Sequence, residues 1–233
     1  MKVNQMNKTI RVGIIEALPL AIAIATYGLS YGVLAVQADF NLQSTVAMSL
    51  LVFSGSIQLV TVAMVETGAG LTSILITAIL LNSRNLLYGA VLAAGLASAK
   101  KGWRWLLSFG VSDEPFVLAS NRFRKYGPDP LYFGVVIGTF YIAWGLSSYV
   151  GAVIGNQIDP LQWGLDLAFP IAFAAMLVPS LSGKPIIATA VTASILSSLL
   201  VVLLPGNELN IIMTGVLSPL IGLYLGKRGE YND

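Results

Sequence analysis

"LTSILITAILLNSRNLLYGAVLAAGLAS" occupies residues 71–98 of the chain. It exceeds the length of about 20 apolar residues that cross a bilayer as one helix. Its centre, however, contains Asn82, Ser83, Arg84 and Asn85 in succession. A charged side chain at the middle of a bilayer costs about 2.5–3.5 kcal/mol on insertion scales and marks a functional site by default. The run therefore indicates a membrane segment whose centre has a role beyond spanning.

The composition of the whole chain also requires a membrane environment. Of its 233 residues, 56% are hydrophobic and 10% are charged, and the mean hydropathy is +0.79. A soluble domain averages about 25% charged residues. Cysteine and histidine are absent, which excludes thiol nucleophiles, Fe–S clusters and the commonest metal ligand. We expect no cofactor and no metal, and the scattered basic residues do not indicate nucleic-acid binding.

Seven apolar runs predict an all-α membrane protein, a polytopic helical bundle that forms one domain over residues 1–233. The first run is expected to be a retained span, because no clear cleavage site follows it. Lys and Arg collect in cytoplasmic loops, so the basic residues near both ends predict cytoplasmic N- and C-termini. A less apolar stretch at 103–120 makes the expected number of spans six to eight. The seven runs are 14–36, 44–65, 71–98, 131–154, 166–182, 185–204 and 209–226.

Two topologies remain open for the run 71–98. If Lys100 and Lys101 lie inside, the run must return to the side from which it entered. We favour this layout, which requires a helix hairpin that turns at Asn82–Asn85, because irregular backbone is tolerated at that depth where it lines a cavity. The alternative is one long tilted span with Lys100 and Lys101 outside, after which 103–120 crosses back.

A weak internal repeat indicates an inverted-topology architecture. Residues 13–23 read "GIIEALPLAIA" and residues 164–174 read "GLDLAFPIAFA". The basic residues predict that the first copy leaves the cytoplasm and the second enters from outside, which is the arrangement of repeats in many secondary transporters. Chance similarity between two Ala-rich segments is the other interpretation. Glycine pairs four residues apart, such as Gly28/Gly32 and Gly151/Gly155, predict close helix contacts.

Two other polar stretches carry candidate functional residues. In "FSGSIQL" (residues 53–59), Gly55 allows a neighbour to approach, and Gln58 needs a hydrogen-bond partner within the hydrocarbon. In "VSDEPFVL" (residues 111–118), Ser112 to Pro115 have the order of a helix N-terminus, which could bind an anion or be an ordinary interfacial helix start. Two adjacent acids, Asp113 and Glu114, should titrate as a coupled pair in a low dielectric.

In their order and spacing, "FSGSIQL", "LLNSRNLLYG" (residues 80–89) and "VSDEPFVL" resemble the AzlC family of branched-chain amino-acid permeases. The proline-bearing stretch "LDLAFPIAFAAMLVP" (residues 165–179) is similar to that family as well. The resemblance implies a proton-driven exporter of branched-chain amino acids, in some members also of methionine. It also implies a bacterial cytoplasmic-membrane location and a small AzlD-type membrane subunit as partner.

The resemblance assigns roles to individual positions. Asn85 stands where the family has a histidine, so a histidine proton relay cannot operate here, whereas Ser112 replaces a threonine conservatively. Asp113 and Glu114 are the candidates for proton coupling. The candidate substrate-binding residues are Ser54, Gly55, Ser56, Gln58, Asn82, Arg84, Asn85, Tyr88 and Ser112.

Those residue types suit a zwitterionic amino acid. Arg84 can bind a carboxylate with two parallel hydrogen bonds, and one of the acids can meet the ammonium group or carry the coupling proton. Arg84 could instead be a structural counter-ion within a broken helix. An enzyme is not expected, because histidine, cysteine and a Gly-x-Ser-x-Gly motif are all missing. A channel-like pore for a small polar solute is the stronger alternative, since broken helices also build channels.

Overall fold

The computed structural model describes residues 2–157, 183–204 and 209–229, together with single positions at 159, 162, 164, 167, 174, 178 and 181. Its regular elements are all α-helices, which confirms the predicted fold class. They are α1 (Lys2–Gln37), α2 (Leu42–Leu51), α3 (Gly55–Glu66), α4 (Leu71–Leu96), α5 (Lys101–Phe109), α6 (Asp113–Tyr126), α7 (Pro130–Ile154), α8 (Lys184–Leu203) and α9 (Leu209–Gly229).

Most predicted spans correspond to helices. By length and composition, α1, α4, α7 and α8 can each cross a membrane, and they contain or nearly match the runs 14–36, 71–98, 131–154 and 185–204. The run 209–226 lies within α9. The run 44–65 is divided between α2 and α3, and 103–120 between α5 and α6. The run 166–182 lies outside the continuously described residues.

The hairpin predicted at Asn82–Asn85 is wrong. Helix α4 continues through these residues as a single element of 26 residues, about 39 Å long at 1.5 Å per residue. The chain breaks instead at 52–54, between α2 and α3, and at 110–112, between α5 and α6. The alternative topology, in which 71–98 is one long span, therefore agrees with the structure.

Helices α1 and α7 pack side by side in parallel. The hydroxyl of Tyr132, in the first turn of α7, donates at 2.5 Å to Oε2 of Glu16, which lies well inside α1, and near the last turns of both helices Gln37 Nε2 donates to the carbonyl oxygen of Gly155 at 3.1 Å. The contacts thus advance in the same direction along both helices. The start of α1 and the start of α7 therefore lie at the same end of the pair.

Glycines bring the backbones of α1 and α7 together. A Cβ atom on Gly32 would lie 2.2 Å from the carbonyl oxygen of Ser148, and a Cβ atom on Gly151 would lie 2.2 Å from the carbonyl oxygen of Leu29. No side chain fits at such distances. The predicted packing role of Gly28/Gly32 and Gly151/Gly155 is confirmed, whereas a Cβ atom on Gly138 of α7 would meet nothing within 4 Å.

Two clusters of buried apolar side chains meet on α7. The first joins α1, α3 and α7, and the second joins α4, α5, α6 and α7, so that α7 is the central helix of this part of the molecule. The first cluster is Ala17, Ala21, Ile24, Tyr31, Ala35, Leu59, Val62, Tyr132, Val136, Phe140 and Trp144. The second is Leu92, Leu96, Leu107, Ala119 and Phe133.

The chain divides into two compact units, residues 1–70 with 81–169 and residues 71–80 with 170–233. Within the second unit, α8 and α9 are antiparallel neighbours. A Cβ atom on Gly222 would lie 1.9 Å from Thr189 Oγ1, and one on Gly226 would lie 3.8 Å from Pro185 Cγ. The beginning of α8 therefore lies beside the end of α9.

The predicted repeat is described only in part. Its first copy lies inside α1, which continues through Pro19 without a break. Its second copy, residues 164–174, falls almost entirely outside the described residues. A different correspondence is present in the structure, because α2–α3 and α5–α6 are both pairs of short helices separated by three residues.

Candidate functional site

Both helix breaks end at a serine in extended conformation, which is the N-cap residue of the helix that follows. Ser54 and Ser112 are the N-cap residues of α3 and α6, with extended φ angles of −151° and −148°, and neither makes a side-chain cap hydrogen bond. The helix start predicted from the order Ser112 to Pro115 is therefore confirmed. The first turns of both helices have backbone N–H groups without intrahelical partners, as every helix start does.

Both breaks lie against the middle of α7. A Cβ atom on Gly55 would come within 2.7 Å of the Trp144 ring, and one on Gly110 within 2.4 Å of the Ile137 side chain. Glycine at these two positions lets the broken segments approach the central helix. The predicted close approach at Gly55 is confirmed, and its neighbour is the indole of Trp144.

Arg84 connects the two broken pairs from the middle of the unbroken helix α4. Its Nη2 lies 2.8 Å from Asp113 Oδ2, at the start of α6, and donates to Ser56 Oγ at 3.1 Å, in the first turn of α3. The side chains of Arg84 and Asp113 are 30% and 22% exposed, so the ion pair is only partly open to its surroundings. Arg84 Nε is buried and has no hydrogen-bond partner among the described residues.

Tyr88, one turn after Arg84 on α4, holds the other oxygen of the same carboxylate. Its hydroxyl donates to Asp113 Oδ1 at 2.9 Å. Its ring stacks on Phe116 with centroids 4.3 Å apart and an angle of 14° between the rings. Asp113 is thus bound by one cation and one phenol, and both come from α4.

Asn82 and Asn85 bind to each other. Asn85 Nδ2 donates to Asn82 Oδ1 at 3.1 Å, which uses the i, i+3 spacing of one helical turn. They do not satisfy a broken backbone, because α4 has no break here. Asn85 Oδ1 is buried and lacks a hydrogen-bond partner among the described residues. Two neighbouring residues therefore each have a buried polar atom without a described partner, the donor Nε of Arg84 and the acceptor Oδ1 of Asn85.

Gln58 fixes the break before α3. It is fully buried, and its Nε2 donates to the carbonyl oxygens of Val52 and of Met48, the latter at 3.3 Å. Its Oε1 accepts from Trp144 Nε1 at 3.1 Å. The partner that a glutamine requires in hydrocarbon is therefore provided at both ends of the amide. These bonds satisfy carbonyls at the end of α2 and tie the break to α7.

Glu114 differs from its neighbour Asp113 in its partners. The residue is half-buried, and within the described part of the chain its carboxylate makes no ion pair.

Ser54 and Ser56, across the site, have hydroxyl oxygens 3.4 Å apart. The structure thus brings Ser56, Arg84, Tyr88 and Asp113 into direct contact.

The sequence did not identify several residues that shape this region. Trp144 and Tyr141 contact this region from α7, distant in the chain, and Phe53 and Phe109 lie in or directly beside the breaks. Trp144 had one usable signal, because an indole N–H within an apolar span requires a hydrogen-bond partner. The signal shows that a partner is required but does not identify it.

Comparison with known proteins places these features in a family. The family model described as AzlC protein matches residues 19–158. Inner membrane protein YgaZ of Escherichia coli is 24% identical over 83% of this chain and 81% of its own length. Branched-chain amino acid transport protein AzlC of Bacillus subtilis is 22% identical over 82% of this chain and 75% of its own length.

An uncharacterized membrane protein of Helicobacter pylori is 24% identical over 65% of this chain, and the match spans 66% of that protein. No solved structure matches the chain. The family match extends from within α1 to just beyond α7 and so includes both helix breaks and Arg84. This protein, a helical membrane protein, belongs to the AzlC family.

Proposed function

We propose that this protein is a secondary transporter that exports branched-chain amino acids across the cytoplasmic membrane and binds them at Arg84. Membership of the AzlC family and the name of the Bacillus subtilis relative support a transport function. Proton coupling and a small AzlD-type partner subunit are part of the proposal, as are cytoplasmic N- and C-termini.

The observation that carries the proposal is the incomplete pairing of Arg84. Its Nη2 binds Asp113 and Ser56, while its buried Nε has no described partner. A buried donor without a partner costs about 1–3 kcal/mol. A ligand carboxylate that accepts from Nε and one Nη would remove this penalty, since carboxylates bind the guanidinium fork with two bonds. The substrate carboxylate then replaces the Asp113 carboxylate at the guanidinium of Arg84.

The ammonium group of the same ligand has a matching acceptor. Asn85 Oδ1 is buried without a described partner and belongs to the residue after Arg84. The Asp113 carboxylate, once displaced from Arg84, is a second acceptor, and its negative charge is opposite to that of the ammonium group. Ser54 and Ser56 can turn their hydroxyls toward the bound carboxylate, and Gly55 and Gln58 hold the break in place. Tyr88 keeps Asp113 within reach throughout.

Glu114 is the better candidate for the coupling proton. Asp113 is bound by Arg84 and Tyr88, whereas Glu114 has no described cationic partner. Asp113 and Arg84 lie close enough to influence the charge of Glu114. Exchange of Asp113 between Arg84 and the substrate would change the field at Glu114. Uptake and release of a proton by Glu114 can thereby be linked to substrate binding.

Substitution of Arg84 by lysine tests the proposal. Lysine keeps the charge but loses the planar fork, so we expect the apparent KM for leucine to rise about tenfold or more, because a charged hydrogen bond contributes about 1.5–3 kcal/mol. The assay is counterflow of labelled leucine in proteoliposomes, with and without the partner subunit. Arg124→Lys, an exposed position on α6, is the matched control. Unchanged affinity in Arg84→Lys would make the arginine a structural brace and exclude this site.

The same vesicles separate a carrier from a channel. A carrier saturates with leucine and shows counterflow, because its site faces one side at a time. Flux that rises linearly with concentration and shows no counterflow would favour the pore for a small polar solute instead.

A further inference from the structure

A cleft of about 460 Å³ lies between the two helix breaks and α4. Ligand sites in proteins commonly measure about 300–1,000 Å³. Most of the side chains around it are apolar, and the polar ones include Asn85. The apolar walls include Val52, Phe53, Leu86, Phe109 and Val111.

Two phenylalanine rings, one in or beside each break, line this cleft. Phe53 and Phe109 stack with centroids 6.1 Å apart and an angle of 20° between the rings. Tyr141 of α7 contacts both rings, at 5.4 Å and 6.2 Å. Its hydroxyl donates to the carbonyl oxygen of Leu50 at 2.8 Å. The ring pair is therefore held in a fixed position by the central helix.

The cleft lies beside the polar site, because Ser54 lines the cleft and its hydroxyl oxygen lies 3.4 Å from that of Ser56, which accepts from Arg84 Nη2. Val111 lies two residues before Asp113, Ser54 lies two residues before Ser56, and Asn85 follows Arg84. Asn85 contributes its unpartnered Oδ1 at this boundary. A ligand with its charged end at Arg84 would therefore extend its next few carbon atoms into the cleft.

We propose that this cleft holds the side chain of the transported amino acid, and that Phe53 and Phe109 limit its size to that of a branched aliphatic group. The inference rests on the proposed function, because it takes the carboxylate to be bound by Arg84. The apolar walls disfavour charged side chains, since none of the described residues that line the cleft carries a charge to pair with them. The fixed ring pair excludes aromatic ones, because a second ring needs the space that Phe109 occupies.

The test is Phe109→Ala, measured as counterflow of labelled leucine and phenylalanine in proteoliposomes. Removing the ring opens space, so we expect the ratio of kcat/KM for phenylalanine to that for leucine to rise about tenfold or more. Phe109 is 45% exposed, so its replacement should leave folding intact. Phe123→Ala, which removes a ring that faces Gly95 and Phe133 outside the cleft, is the matched control and should leave the ratio unchanged.

The outcomes separate the two proposals. If the wild-type protein shows no leucine counterflow, the proposed function fails. If the wild-type protein transports leucine and Phe109→Ala leaves the ratio unchanged, the proposed function stands and the cleft inference is overturned.

A second measurement applies if Phe109→Ala transports nothing. In a Val111→Cys variant, leucine should slow alkylation of the new thiol, whereas glutamate at the same concentration should not. Equal alkylation rates with and without leucine, in a variant that still transports it, would show that the cleft is not the side-chain site.

Discussion

Arg84 shows how a charged residue is accommodated in a membrane helix without distortion of that helix. Its long side chain crosses from α4 to the starts of α3 and α6, where a hydroxyl and a carboxylate receive it. The irregular backbone that the polar stretch led us to expect is supplied by those two neighbouring segments. The predicted hairpin around this residue was wrong, and its role as a binding residue stays a prediction.

A first prediction separates the two adjacent acids. Glu114→Gln should abolish leucine efflux driven by a proton gradient but retain counterflow, since counterflow requires no net proton movement. Asp113→Asn should weaken its pair with Arg84 and raise the apparent KM in both assays. Efflux and counterflow in one preparation of proteoliposomes provide the measurement.

Membrane insertion, checked by yield of folded protein in detergent, is the control for both substitutions. Normal proton-driven efflux by Glu114→Gln would remove this residue from the coupling step. If Asp113→Asn also transports normally, the two acids form an ordinary helix start.

Gln58 marks the limit of sequence reasoning at this scale. A buried amide requires partners whatever the fold, so the requirement could be predicted. The partners are Trp144, 86 residues away, and two carbonyls freed by the break. No local pattern identifies a contact over that separation, because it depends on how the helices pack.

At the scale of the element, the position of the breaks follows from the strength of two competing effects. Asn and Ser lower helix propensity by at most about 0.7 kcal/mol per residue. Each backbone group left unsatisfied in hydrocarbon costs several kcal/mol. Four polar residues in succession therefore do not open α4. The actual breaks come directly before Gly55 and at Gly110, where close approach to α7 and bonds such as those of Gln58 compensate for the lost helical hydrogen bonds.

An unbroken α4 makes a topological prediction. The parallel arrangement of α1 and α7 requires an odd number of crossings between them, and we expect three, by α2–α3, α4 and α5–α6. A cysteine in place of Ala99, just after α4, should then be labelled from the side opposite the N-terminus. Membrane-impermeant maleimide on intact cells, compared with cells made permeable, provides the measurement.

A cysteine at Lys8, near the start of α1, is the reference for the cytoplasmic side. Labelling of Ala99→Cys from that same side would mean that neither α2–α3 nor α5–α6 crosses, so that α4 is the one crossing between α1 and α7. The external location of Lys100 and Lys101 would then be wrong as well.

The scaffold of the first unit depends on contact between α1 and α7, and a matched pair of glycines tests it. Gly32→Ala would place a methyl group 2.2 Å from a backbone oxygen, whereas Gly138→Ala meets nothing within 4 Å. Overpacking of this kind costs about 1–3 kcal/mol, so Gly32→Ala should lower the midpoint of thermal denaturation in detergent. Gly138→Ala should leave it unchanged, and equal midpoints would show that α1 and α7 can separate at no cost.

For the molecule as a whole, composition was sufficient to predict the class, and hydropathy was sufficient to predict most helices. Which helices become neighbours was only partly visible. The glycine pairs on α1 and α7 indicated that each helix has a close partner. They did not indicate that Gly28/Gly32 and Gly151/Gly155 face each other, because Gly134 and Gly222 also belong to glycine pairs with a spacing of four residues.

The bond between Glu16 and Tyr132 has a consequence for biosynthesis. The two residues are 116 positions apart, and at about 5–20 residues per second a ribosome needs roughly 6–23 s to make the intervening chain. During that interval α1 has entered the membrane, but the Glu16 carboxylate has not met Tyr132 and the glycines of α1 have not met α7. We therefore expect insertion machinery to hold the nascent chain until α7 emerges. Premature stop codons before residue 130 should yield fragments that quality-control proteases remove.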